Sequence, residues 1–204
     1  MKKSLFFVIV CLICSTVANA QDAKSGIKGG FNFSTLYVDD VEDRQIRPGF
    51  HAGVFTQIPL VGPLSIQPEL MFTTAGNRTK VEFGIFDYEV DYNLNYIQLP
   101  VLVNLEVGNT ISLQGGFYAA YLVGGNISYE GDLNSTTELD RDDFSKLDIG
   151  FSAGVGYNIN NIQFGLRYNL GLREIADSDS ARDDIGNVKN VVGQIYMAIN
   201  LSGS

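Results

Sequence analysis

From Gly26 onward one pattern repeats. Apolar and polar side chains alternate along short segments, and the connections between segments are in turn short and long. A period of two marks a strand with two unlike faces. It recurs over about 26–36, 49–59, 64–75, 88–105, 110–125, 147–158, 161–172 and 189–201. In the third segment Leu64, Ile66, Leu70 and Phe72 oppose Ser65, Gln67, Glu69, Met71 and Thr73. In the fifth, Ile111, Leu113, Phe117, Ala119 and Tyr121 oppose Ser112, Gln114, Gly116 and Tyr118. The seventh sets Ile162, Phe164, Leu166, Tyr168 and Leu170 against Gln163, Gly165, Arg167 and Asn169. The eighth sets Val191, Ile195, Met197, Ile199 and Leu201 against Gln194, Tyr196 and Asn200.

Alternation alone fits two architectures. A soluble sandwich buries the apolar face and wets the polar one, while a membrane barrel reverses this, with lipid outside and a narrow polar lumen. The small residues Gly116, Gly154, Gly156 and Gly165 share the polar face, as a tight lumen requires. The apolar face is long and almost free of charge. The connections argue the same way. Short turns at 60–63, 106–109 and 158–161 alternate with long loops at about 37–48, 76–87, 126–146 and 173–188. Outer-membrane barrels have short periplasmic turns and longer extracellular loops. The pattern therefore predicts an all-β fold, an eight-stranded antiparallel up-and-down transmembrane β-barrel with both termini on the short-turn side.

The first 20 residues read as a leader rather than as part of the barrel. Lys2 and Lys3 precede an apolar run over 5–13, and Ala18-Asn19-Ala20 places small residues where a signal peptidase reads them. The run is well short of the roughly 20 residues a spanning helix needs. Cleavage is expected before Gln21, leaving a barrel domain over 21–204. Cys11 and Cys14 leave with the leader, so the mature chain has no disulfide and no thiolate site.

Loss of Lys2 and Lys3 takes 14 basic residues to 12 against 23 acidic ones, a mature net charge of −11. Such a balance argues against nucleic acid. The charge sits mainly in the long loops, and strand bodies keep only a few charges, among them Lys28, Glu69, Asp91, Asp148 and Arg167. Glu69 and Arg167 each lie about six residues above a short turn on the polar face. Buried charges need partners, so Glu69, Arg167, Lys28 and Asp148 are expected to form a structural charged network in the lumen. The functional alternative is a charged constriction in a pore.

No catalytic, cofactor-binding or metal-ligating set is expected. His51 is the only histidine, and no serine lies at a neighbouring same-face position of its strand. It reads as a rim residue facing the barrel mouth. The acidic runs at 39–43, 140–143 and 177–184 lack the spacing and central glycine of a calcium loop and read as solvated charge. One segment breaks its own pattern. Apolar residues fall on even numbers from Val90 to Tyr96 and on odd numbers from Ile97 to Leu105. Either a β-bulge sits near Tyr96, or the upper strand rises above the membrane and its facing rule changes there.

Four stretches resemble the PorT-type outer-membrane β-barrel family of Bacteroidetes: 26–34 (GIKGGFNFS), 49–55 (GFHAGVF), 66–70 (IQPEL) and 96–102 (YIQLPVL). The resemblance implies an integral outer-membrane barrel, and the family's namesake is associated with protein export across that membrane. Many such barrels end on an aromatic residue. Here Asn200 to Ser204 carries none, so the insertion signal is weaker than usual or lies upstream at Tyr196. The expected surroundings are outer-membrane lipid, lipopolysaccharide and the barrel insertion machinery. A secretion complex or surface ligand is expected at the loops. The leading function is a non-enzymatic surface or secretion-associated component, followed by a narrow solute pore and then a lipid-modifying enzyme.

Overall fold

The computed structural model describes residues 23–37, 46–83, 86–108, 110–130, 135–138, 145–174 and 189–201. The leader and the three acidic runs lie outside these residues.

Eight strands form the barrel: β1 (Lys24–Tyr37), β2 (Arg47–Pro59), β3 (Leu64–Phe83), β4 (Phe86–Val107), β5 (Ile111–Glu130), β7 (Leu147–Ile159), β8 (Ile162–Glu174) and β9 (Lys189–Asn200). Each pairs antiparallel with its neighbours around the ring. The ring closes where β1 meets β9, with Gly26 opposite Asn200 and Gly30 opposite Tyr196. Closure satisfies the ladder groups of both end strands, which a spanning sheet in lipid requires. A ninth short strand, β6 (Ser135–Glu138), lies outside the ring and pairs with β5, for example Thr136 with Ser128.

The three short turns share one device. Gly62, Gly108 and Asn160 have φ of 57°, 62° and 53°. A tight reversal forces one residue into the left-handed region, and glycine and asparagine enter it most readily.

The solvent logic of a soluble protein is inverted. Phe31 is 68% exposed and Leu166 55%, while Glu69 is 3% exposed and Arg167 5%. Even-numbered residues point inward on β1, β4, β7 and β9, and odd-numbered ones on β2, β3 and β8. The face assignments read from the alternation are those of the structure.

Besides β5 reaching Glu130 and β6 lying inside the expected loop 126–146, two features differ from expectation. The stretch 76–87, expected to be a loop, is mostly ladder: pairing runs from Gly76 with Asn93 to Phe83 with Phe86. The period of two continues here, Thr79, Val81 and Phe83 alternating with Arg78, Lys80 and Glu82, but the charge on every second residue reads as loop. The second concerns Tyr96. A register shift does occur there, but β5 carries the extra residue: Asn95 pairs with Gly124 and Tyr96 with Leu122, which skips Val123. On β4 the even-numbered side chains stay inward from Leu94 to Asn104. What changes is the lumen, which becomes apolar at this height where Ala75, Leu94, Ala120, Leu122 and Val192 are buried.

Candidate functional site

The largest concentration of chemistry lies in the lumen. Glu69 comes from β3, Lys28 from β1 and Arg167 from β8. Lys28 Nζ donates to Glu69 Oε1 at 2.7 Å. Arg167 grips the same carboxylate with both terminal nitrogens, Nη1 to Oε2 at 2.7 Å and Nη2 to Oε1 at 2.9 Å. The two-pronged geometry is the strong form of this contact. Gln67 Nε2 also donates to Glu69 Oε1 at 2.6 Å, and Gln67 in turn accepts from Asn104 Nδ2 at 2.8 Å. Arg167 Nη2 reaches Gln114 Oε1 at 2.7 Å.

One carboxylate thus serves two cations. Part of the surplus positive charge meets the face of Tyr196, whose ring centre is 4.3 Å from Lys28 Nζ and 5.4 Å from the Arg167 guanidinium carbon. The Tyr196 hydroxyl donates to Gln163 Oε1 at 3.0 Å. Its ring lies so close over Gly165 that a Cβ there would sit 2.3 Å from Tyr196 Cζ. Only glycine at 165 leaves the ring room to lie across the lumen.

A second cluster surrounds Asn32. Its Nδ2 donates to Thr73 Oγ1 and to the carbonyls of Phe50 and Thr74, which fixes the amide orientation. Asn32 Oδ1 is therefore the acceptor for His51 Nδ1 at 2.7 Å and Gln194 Nε2 at 2.9 Å. His51 consequently carries its proton on Nδ1. It is buried at 3% exposure and is not the rim residue expected from sequence. Its strand starts at Arg47, and its ladder partners Gly30 and Thr73 lie well inside the barrel. Among the described residues no donor or acceptor reaches His51 Nε2.

Asp148 stands apart from Glu69. Its Oδ2 accepts from Tyr118 Oη at 3.2 Å and Asn190 Nδ2 at 3.0 Å, beside a small pocket of about 20 Å³. Of the four charges expected to form one network, three meet at Glu69, and Asp148 belongs to a separate cluster. Two contributors were not anticipated: Tyr196 as a platform for both cations, and Asn32 as the partner of His51. Tyr196 lies on the polar face read from sequence, and Asn32 lies on the lumen face of β1. Their contacts depend on ring closure, which brings strands distant in sequence together. Among the described residues no group of three or more His, Cys, Asp or Glu side chains is placed to hold a metal ion.

Residues 19–177 match the family described as outer membrane protein beta-barrel domain. No curated protein matches the sequence. Among solved structures, neisserial surface protein A is similar at 13% identity over 89% of this chain and 100% of that one, with a TM-score of 0.52. The attachment invasion locus protein Ail of Yersinia pestis, solved with the heparin analogue sucrose octasulfate, aligns at 14% identity over 88% of this chain and 99% of that one, TM-score 0.49. OprG of Pseudomonas aeruginosa aligns at 14% identity over 87% and 93%, TM-score 0.32. At 13% identity the likeness to neisserial surface protein A is one of fold.

Proposed function

This chain belongs to the outer membrane protein beta-barrel domain family, and from that premise we propose that it is a non-enzymatic surface component whose acidic outer loops meet a partner. The barrel resides in the outer membrane. The observation that carries the reading is the occupied lumen. Lys28, Glu69, Arg167, Asn32, His51 and Gln194 are buried there and bonded to one another or to the wall. Eight strands leave room for side chains and little else. The loop charge then becomes the feature best placed to act outside the cell. A surface ligand or a component of a secretion complex is the partner class. The resemblance of four stretches to PorT-type barrels favours the secretion complex.

The test is co-purification from native membranes at low and high salt. A partner held by the loops is retained at low salt, released at high salt because exposed charges are screened, and lost when acidic residues at 39–43 and 140–143 are changed to their amides. Retention by the neutralised protein overturns the reading.

The alternative, a narrow pore for small solutes, draws on a cup that enters the lumen from the short-turn end. The purified protein in a planar bilayer is expected to show little or no steady conductance. Large, reproducible steps would instead promote the pore. A lipid-modifying activity is disfavoured by His51, which faces the lumen and is bonded to Asn32 rather than to a serine. An unchanged lipid profile in cells lacking the protein is the matching expectation.

The leader reading gives a further expectation. N-terminal sequencing of the protein from the outer-membrane fraction should begin at Gln21. An intact leader in that fraction, or recovery in the soluble periplasm, contradicts it.

A further inference from the structure

The cup at the short-turn end has a volume of about 160 Å³. It faces the periplasm if the short turns do, as in other outer-membrane barrels. Its wall carries carboxamides from five strands, Gln57, Gln67, Asn158, Gln163 and Asn200. The inner end is closed: Gln67 is tied to Glu69 and Gln163 to Tyr196. A solute therefore enters and leaves on one side.

Two opposite charges line this cup, Lys24 and Glu106. The Lys24 side chain is exposed. Glu106 is half-buried and accepts one hydrogen bond, from Gln57 Nε2 at 3.0 Å. Among the described residues neither charge forms an ion pair. A third group adds direction. Asn200 Oδ1 is a buried acceptor that no described protein donor reaches. The space equals the liquid share of about five waters at roughly 30 Å³ each, the scale of a small amino acid.

We propose that this cup is a binding site for a small zwitterion of the α-amino-acid type. The ligand carboxylate meets Lys24. Its ammonium meets Glu106 and gives a further N–H to Asn200 Oδ1. A simple anion or cation satisfies only one of the two wall charges. The inference is independent of the outer-loop reading, because it concerns the opposite end of a closed lumen.

The test follows the side-chain amide signals of isotope-labelled full-length protein in micelles by NMR during addition of serine. Acetate and ethanolamine, each carrying one of the two charges, are the comparison. The expected result is saturable shifts confined to the cup's Asn and Gln signals, with both comparison compounds much weaker. Lys24→Met and Glu106→Gln should each weaken serine binding by about tenfold, the scale of one charge-assisted hydrogen bond. Heat-modifiability on gels should be unchanged, since neither residue contacts the Glu69 triad. Shifts that do not saturate, half-ligands that match serine, or folded variants that bind like wild type would each show a cup that holds water only. The wild-type comparison decides the question even if a variant does not fold.

Discussion

Glu69→Ala should cost this barrel more stability than removal of either cation it holds. Breaking a buried ion pair costs on the order of 3–5 kcal/mol, because the surviving charge keeps its desolvation penalty without its counter-charge. Lys28→Met leaves Glu69 gripped by Arg167, and Arg167→Ala leaves it paired with Lys28. Each single cation loss belongs at the low end of that range. Glu69→Ala strands two cations at once, within one cluster that also contains the Tyr196 ring, and belongs at the top of the range or above. Adding Lys28→Met to Glu69→Ala should recover part of the loss by removing one stranded charge. The measurement is the urea midpoint at which the heat-modifiable band is lost in micelles. A Glu69→Ala midpoint no lower than that of Lys28→Met, or a strictly additive double variant, would remove the triad from any account of stability.

Substitutions on neighbouring residues of β8 should also diverge sharply. Leu166 faces lipid at 55% exposure. An arginine there places a charge in hydrocarbon, at a cost of roughly 2–4 kcal/mol at mid-depth. Gln163 faces the lumen beside the polar cup, so an arginine can extend toward water. It loses hydrogen bonds with Ser112, Gln114, Asn158 and Tyr196, worth about 0.5–1.5 kcal/mol each. Left unreplaced, those losses would match the cost on the lipid face; the guanidinium's own donors remake the bonds to Ser112 Oγ and Asn158 Oδ1, which leaves the lumen substitution the cheaper one. The folded fraction after insertion into liposomes should therefore fall far more for Leu166→Arg than for Gln163→Arg. Equal loss would contradict the face assignment.

The ring of eight strands was legible because lipid imposes a rule on every second residue. Leu166, Ile195 and Phe117 could be assigned outward from alternation alone. The ladder from Gly76 to Phe83 keeps the period of two, but Arg78, Lys80 and Glu82 give it the charge of a loop, which hides it. The pattern break at Tyr96 was visible, but its origin in the neighbouring strand was not, since pairing is a relation between two segments. The meeting of Glu69 and Arg167 was approachable from their equal heights above their turns. The third member, Lys28, needed the angular position of each strand around the ring, whereas Asp148 is set apart by height, at the end of β7 away from its short turn. His51 lies near the start of β2, but its partners Gly30 and Thr73 come from the middle of β1 and β3, and only the pairing shows how deep it sits.

The seam between β1 and β9 has a consequence for how this chain assembles. Its ladder joins Gly26 to Asn200, near opposite ends of the described chain, so closing the ring needs the contact most distant in sequence, the kind that costs most chain entropy to bring together. Until then two strand edges stand unpaired, an invitation to pair with the wrong chain. A one-residue slip at the seam reverses the facing of every side chain on the slipping strand. It would turn Lys28 out toward hydrocarbon and leave Glu69 with one cation instead of two. The buried charges thus serve as a proofreading device, making the correct closure cheaper than its nearest mistakes. The slow step of biogenesis should be zipping that seam, and damage to the triad should appear first as misassembled or proteolysed chains.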